Sequence, residues 1–216
     1  MKRVIVVLMA VLLLAACSES SPRSSGDNAP DSPVSGVAKD SPADVNSTKD
    51  MTGVVMEYPP GKNPYFNRMP DVCKFIPDSL MKELGMIRKK TGFDGSSELF
   101  QSCNMYGVPQ ENGAQLSISA GLYAQNISSS TDPSRNQIVN SKVDLGRNVI
   151  GTVYISPKTN VELLQNCFLD WGTFYGTASV NVGSARQAVA DPCDGIVEIA
   201  KKILPYLPSK PYQLRL

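Results

Sequence analysis

Histidine is absent from all 216 residues. That removes the usual general base of serine and cysteine hydrolases and the commonest nitrogen ligand for zinc, copper or iron. No two cysteines stand as a close C-x-x-C pair, the usual form of a thiolate metal site, so no metal and no cofactor is expected. Neither sign of charge dominates, with 21 basic against 20 acidic residues; no nucleic-acid footprint follows from that balance. No long hydrophobic run occurs either. The longest, Val4 to Leu14, spans about eleven residues, where a membrane-crossing helix needs about twenty. Tryptophan occurs once, as Trp171.

What the short apolar run does supply is a leader. Lys2 and Arg3 precede it and small residues follow, ending in Leu14-Ala15-Ala16-Cys17, the layout of a signal peptide. This end resembles the lipobox of bacterial lipoproteins, in which the cysteine sulfur takes a diacylglycerol, the leader is cut before it and the new amine is often acylated. The resemblance implies a signal peptide over residues 1–16 and lipidation at Cys17. The partner of that cysteine is then the lipid bilayer, with the chain on the extracytoplasmic face of the cell membrane. One acyl chain holds a protein marginally and two hold it stably.

Residues 17–52 read as a lipidated cysteine followed by a disordered tether. Serine, proline, aspartate, glycine and asparagine predominate and no aromatic residue occurs, so the segment has too little apolar surface to offset ordering entropy. A coil of about 35 residues has an r.m.s. span of roughly 30 to 35 Å, enough to lift a domain off the headgroups. Loss of Lys2 and Arg3 with the leader brings the formal charge from +1 to −1.

With Cys17 set aside for lipid, Cys73, Cys103, Cys167 and Cys193 remain in a compartment that permits oxidation. An even number suggests two disulfides. Four cysteines allow three connectivities and sequence does not choose among them. The preferred one joins Cys73 to Cys103 and Cys167 to Cys193, each closing a loop of about thirty residues and stabilising by about 3 to 4 kcal/mol.

Residues 53–216 are expected to form a single domain. A helix begins at Pro77, with acids early and Gly85 just past its end, and Leu80, Met81 and Leu84 form its apolar stripe. Leu116, Ile118, Ala120 and Leu122 alternate with polar or small residues, as Phe174, Gly176, Ala178, Val180 and Val182 do, predicting strands with one wet side. Val149–Ile155, Leu163–Leu169 and Leu99–Tyr106 read as further strands, and Asp170-Trp171-Gly172 as a hairpin turn. Asp191-Pro192 signals a second helix, capped by Asp191, carrying Ile196, Val197, Ala200, Ile203 and Leu204 and ended by Pro205. Hairpin-linked strands and two helices specify an α+β fold, an antiparallel sheet with helices packed on one face.

Asp71-Val72-Cys73, Ile76-Pro77-Asp78, Leu84-Gly85, Ser102-Cys103-Asn104-Met105-Tyr106, Cys167 and Asp191-Pro192-Cys193 ahead of Ile203-Leu204-Pro205 carry a further likeness. Over about residues 70–207 the chain resembles the actinobacterial lipoproteins known as domain of unknown function 3558. The resemblance implies an envelope location and a two-disulfide α+β domain, and no reaction.

Two motifs invite catalysis. Ser79-Leu80-Met81-Lys82 and Lys90-Thr91-Gly92 echo the S-x-x-K and K-T-G elements of penicillin-binding enzymes. Those elements stand far apart in such enzymes, whereas here they nearly touch, so the match is read as coincidence. Arg88-Lys89-Lys90 reads as a solvated run. Trp171, Tyr175 and Tyr123 are the candidate binding surface, the first at the expected hairpin tip and the others on the polar sheet face with Ser117, Ser119, Thr177 and Asn181. The expectation is a monomeric, non-enzymatic membrane lipoprotein that binds an envelope protein or a small ligand. The alternative is a hydrolase or transferase of the envelope that works without histidine.

Overall fold

In the computed structural model of the chain, the residues described are 44–92, 98–155, 164–185, 189 and 191–215. The leader, Cys17 and most of the expected tether lie outside them. The described residues form seven strands: β1 (Met86–Gly92), β2 (Phe100–Gly107), β3 (Gln115–Tyr123), β4 (Gln137–Asp144), β5 (Ile150–Ile155), β6 (Leu164–Thr173) and β7 (Gly176–Ala185). They form one sheet in the order β1-β2-β3-β7-β6-β5-β4. Every neighbouring pair is antiparallel. On one face Cys103, Met105, Ile118, Ala120, Leu122, Val180 and Leu169 are buried in the core.

The helices are short: α1 (Asp78–Glu83), α2 (Ile127–Ser130) and α3 (Ile196–Ile203). Leu80 and Met81 of α1 join the core, and so do Ile196, Ala200 and Ile203 of α3. Gly85 ends α1 in the left-handed conformation expected of a glycine after a helix, with φ of +71°. Disulfides join Cys73 to Cys103 and Cys167 to Cys193, the preferred connectivity. The second ties the entry to α3 onto β6.

Three expectations are corrected. Asp191 does not cap α3; its carboxylate accepts from the Cys193 amide within a turn, and Gly195 is the residue before the helix. The bridge at Cys193 holds that turn against the sheet, so the helix starts only beyond it. The tether does not run to Thr52, because Asp44, Ser47 and Met51 are buried. Met51 donates its amide to the Ser209 carbonyl at 2.6 Å, and Tyr212 donates to Ser47 at 3.4 Å, so the start of the described chain is clasped by its end. Finally, Asp170-Trp171-Gly172 is not a turn. All three lie within β6, paired with Ser179, Ala178 and Thr177, and the turn is Phe174-Tyr175. Both turn aromatics are buried, with Tyr65 edge-on to Phe174 at 5.4 Å. A segment before the sheet holds this turn: Asn63 Nδ2 donates to the carbonyls of Tyr175 and Ala124. Gly176 follows with φ of +131°, where a Cβ would come within 2.5 Å of the Tyr123 carbonyl oxygen.

Two strands were not anticipated. β1 reads as polar because its Arg88 and Lys90 share one face and Ile87 is exposed. β4 lies at the sheet edge with only Val143 buried and two irregularities in its pairing, so it shows no alternation.

Candidate functional site

Successive side chains of a strand point to opposite faces, so the register fixes which residues share the face away from the core. Across the sheet, Tyr154, Phe168, Asn181, Ser119, Asn104 and Lys90 form one row. One step along the strands the next row runs Thr152, Asp170, Ser179, Gly121, Ser102 and Gly92. A third contains Thr177, Tyr123 and Phe100. Between these residues lies a groove of about 320 Å³, at the low end of ligand pockets, which run from about 300 to 1,000 Å³.

Phe100, Tyr123 and Phe168 bound it. Phe100 stacks on Tyr123 with centroids 4.1 Å apart, and Tyr154 stacks on Phe168 at 5.2 Å. Gly121 is required here, because a Cβ would sit 2.8 Å from the Phe100 ring. The floor is Ser102, Asn104, Ser119, Ser179 and Asn181, so among the described residues the lining carries hydroxyls, amides and rings but no ionised side chain. Asn181 donates Nδ2 to the Cys167 carbonyl at 3.1 Å, which orients its amide. Arg88 stands over the Tyr106 ring, 4.8 Å from its centroid, at the β1 side.

Beneath the β6 side of the groove, Asp170 is 1% exposed. Its Oδ2 accepts from the Tyr154 hydroxyl at 2.9 Å, while Oδ1 has no well-formed hydrogen bond. Burial pushes the Asp170 carboxyl above the usual range, offset in part by the hydroxyls of Ser179, Tyr154 and Ser130. The Tyr154 phenol is pushed up as well, by burial first and then by the neighbouring carboxyl. A group whose pKa is raised by folding favours the folded state most at low pH, and this contribution is lost as pH rises above the unfolded value of 3.8. Asp170→Asn keeps the acceptor for Tyr154 and has no charge to bury. It is expected to gain about 1 to 3 kcal/mol over the wild type at pH 7, with the gain vanishing toward pH 3. Urea melts across that range check it; a gain independent of pH would refute the assignment.

Of the expected binding residues, only Tyr123 reaches the groove. Trp171 is 3% and Tyr175 1% exposed, both in the core rather than on a binding surface. Trp171 lines a cavity of about 30 Å³ with Met51, Phe174 and Leu204, room for about one water. Of the expected polar face, Ser119 and Asn181 line the groove, while Thr177 is buried, donating to the Gln125 carbonyl at 2.7 Å. Ser117 donates to the Gly183 carbonyl. Phe100, Phe168, Ser102, Asn104 and Ser179 were not singled out from sequence. Their signal was the same two-residue alternation, read on β2 and β6 as well as on β3 and β7.

The side chains of the two catalytic echoes face solvent or bond elsewhere. Ser79 and Lys82 are exposed on α1, and the Thr91 hydroxyl donates to Asp71 at 2.8 Å. Lys89 turns to the Ile76 carbonyl at 2.7 Å and to Asp78 at 3.1 Å. Among the described residues no cluster of acid or cysteine side chains has the makings of a metal site, and no helix is long and apolar enough to cross a membrane. Comparison with family models, with curated proteins and with solved structures finds no match.

Proposed function

We propose that this chain is a non-catalytic binding module, held by acylated Cys17 on the outer face of the cell membrane, and that the groove on the polar sheet face receives a small ligand or part of an envelope partner. The observation that carries it is the groove itself: about 320 Å³, walled by the stacked Phe100–Tyr123 pair and by Phe168 and floored by uncharged polar groups on a continuous sheet. In this reading α1 and α3 cover the opposite, apolar face and so leave this one for recognition. The paired cysteines support kinship with the actinobacterial lipoproteins that the sequence resembles.

A hydrolase or transferase needs a nucleophile beside a base. The lining offers serine hydroxyls but no carboxylate or amine beside them, and Asp170, the cross-strand neighbour of Ser179, is 1% exposed and stands outside the lining. That weighs toward binding.

Two experiments test the proposal. Cys17→Ser should end lipid labelling and release the chain from the membrane fraction or stall its processing; continued labelling would refute the anchor. A photo-crosslinking residue at Ser119 should give a reproducible adduct in intact envelopes, while the same residue at exposed Ile87 gives none. Equal absence at both positions would refute the groove as the site.

A further inference from the structure

We infer that the groove is a saccharide site, taking one neutral sugar ring or a short run of them; this rests on the reading of the groove as a binding site. A sugar ring presents two kinds of surface. Its axial C–H groups form apolar faces, and its equatorial hydroxyls form a polar rim, each hydroxyl both donating and accepting. The groove offers the complement of both. Phe168 and the Phe100–Tyr123 stack supply flat aromatic surfaces. Ser102, Ser119 and Ser179 supply hydroxyls, and Asn104 and Asn181 supply amides.

The spacing of the floor also suits such a ligand. Neighbouring strands lie about 4.8 Å apart, and side chains on one face recur about every 6.7 Å along a strand. Non-adjacent hydroxyls of a six-membered ring are separated by comparable distances, so more than one can be met at once without the sheet moving. The floor argues against a purely apolar ligand. Seating an alkyl chain there would strip water from the half-buried Asn104, Ser119 and Asn181 and return no hydrogen bond, a cost of about 1 to 3 kcal/mol for each polar group left unpaired. It also argues against recognition centred on an anion, because no cation stands among the lining residues; Arg88 is engaged with Tyr106 and Lys90 lies beyond Asn104 at the β1 edge.

The full-length protein in detergent micelles, titrated with glucose, mannose, N-acetylglucosamine and their short oligomers, tests the inference. Calorimetry or ligand-observed magnetic resonance reads the binding. At least one neutral sugar should bind, with Phe168→Ala weakening it tenfold or more by removing an aromatic surface. Ser119→Trp should abolish it by filling the floor, at a position outside the core. Thermal melting of both variants separates lost binding from lost folding, and Asn104→Leu provides a second floor variant if either melts early. If no sugar binds but a fatty acid or a peptide does, and Ser119→Trp blocks it, the saccharide assignment is overturned while the binding module stands. If no probe binds and Phe168→Ala changes no crosslink formed from position 119 in the envelope, both are overturned.

Discussion

Trp171→Ala should lower the stability of the domain by about 3 to 5 kcal/mol, the cost of emptying a large aromatic site in a core. For a chain of this size that corresponds to a fall in Tm on the order of 10 °C. The expectation follows from position. Trp171 sits near the end of β6, flanked by Ala178 on β7 and Gly151 on β5, and is 3% exposed. Neither small neighbour can swing in to fill the space. Trp171→Phe should recover more than half of the loss. Tyr123→Ala behaves in the opposite sense, weakening whatever occupies the groove while costing much less stability, because its ring is half-exposed on the other face. Urea unfolding of the three variants measures the difference. A loss below 1 kcal/mol for Trp171→Ala would mean that the ring is not in the core.

Replacing Cys167 and Cys193 together by alanine should cost about 3 to 4 kcal/mol, from the loop of 26 residues that the bridge closes. The effect should be local as well as global. This bridge ties the turn at Asp191–Gly195 to β6, and with it the start of α3. Amide exchange at Ile199 and Ala200 should therefore rise more in this variant than in one lacking Cys73 and Cys103, whose bridge joins the turn before α1 to β2. Equal exchange in the two variants would refute the local role. Intact-mass measurement of the oxidised wild type should find none of these four thiols free.

The strands that were legible in the sequence are those with one apolar and one polar side, because burial on one face writes a period of two into the residues. β3 and β7 show it plainly. The hairpin between β6 and β7 was illegible for a specific reason. A two-residue connection is usually announced by Asn-Gly or a similar pair, but here it consists of Phe174 and Tyr175, buried among Tyr65 and Asn63 from far upstream, with Gly176 absorbing the backbone bend after the turn. Tertiary packing replaced turn chemistry, and the Gly172 next to the lone tryptophan drew the boundary to the wrong place.

The groove was half legible for a related reason. Alternation identified Ser119, Asn181 and Tyr123 as one face, yet it could not say which strands stand beside which. The order β2-β3-β7-β6 brings Phe100 beside Tyr123 and Phe168 beside Asn181. Only that order turns a scatter of serines and asparagines into a floor. Nothing in the local sequence of Asp170 signals its depth either, since its neighbours on the same face, Phe168 and Gly172, are ordinary strand residues; the Tyr154 hydroxyl that meets it comes from another strand.

The clasp between Ser47 and Tyr212 brings the entrance and the exit of the fold to one place. A reporter fused at the end of the chain would thus be attached close to the Ser47–Met51 segment. One inserted at the Gln110–Gly113 bend would ride beyond the opposite end of β3, where Gln115 pairs with Ala185. On the proposed anchoring at Cys17, comparing how readily a bulky external probe reaches the two reporters in living cells would show which pole of the molecule is turned to the bilayer.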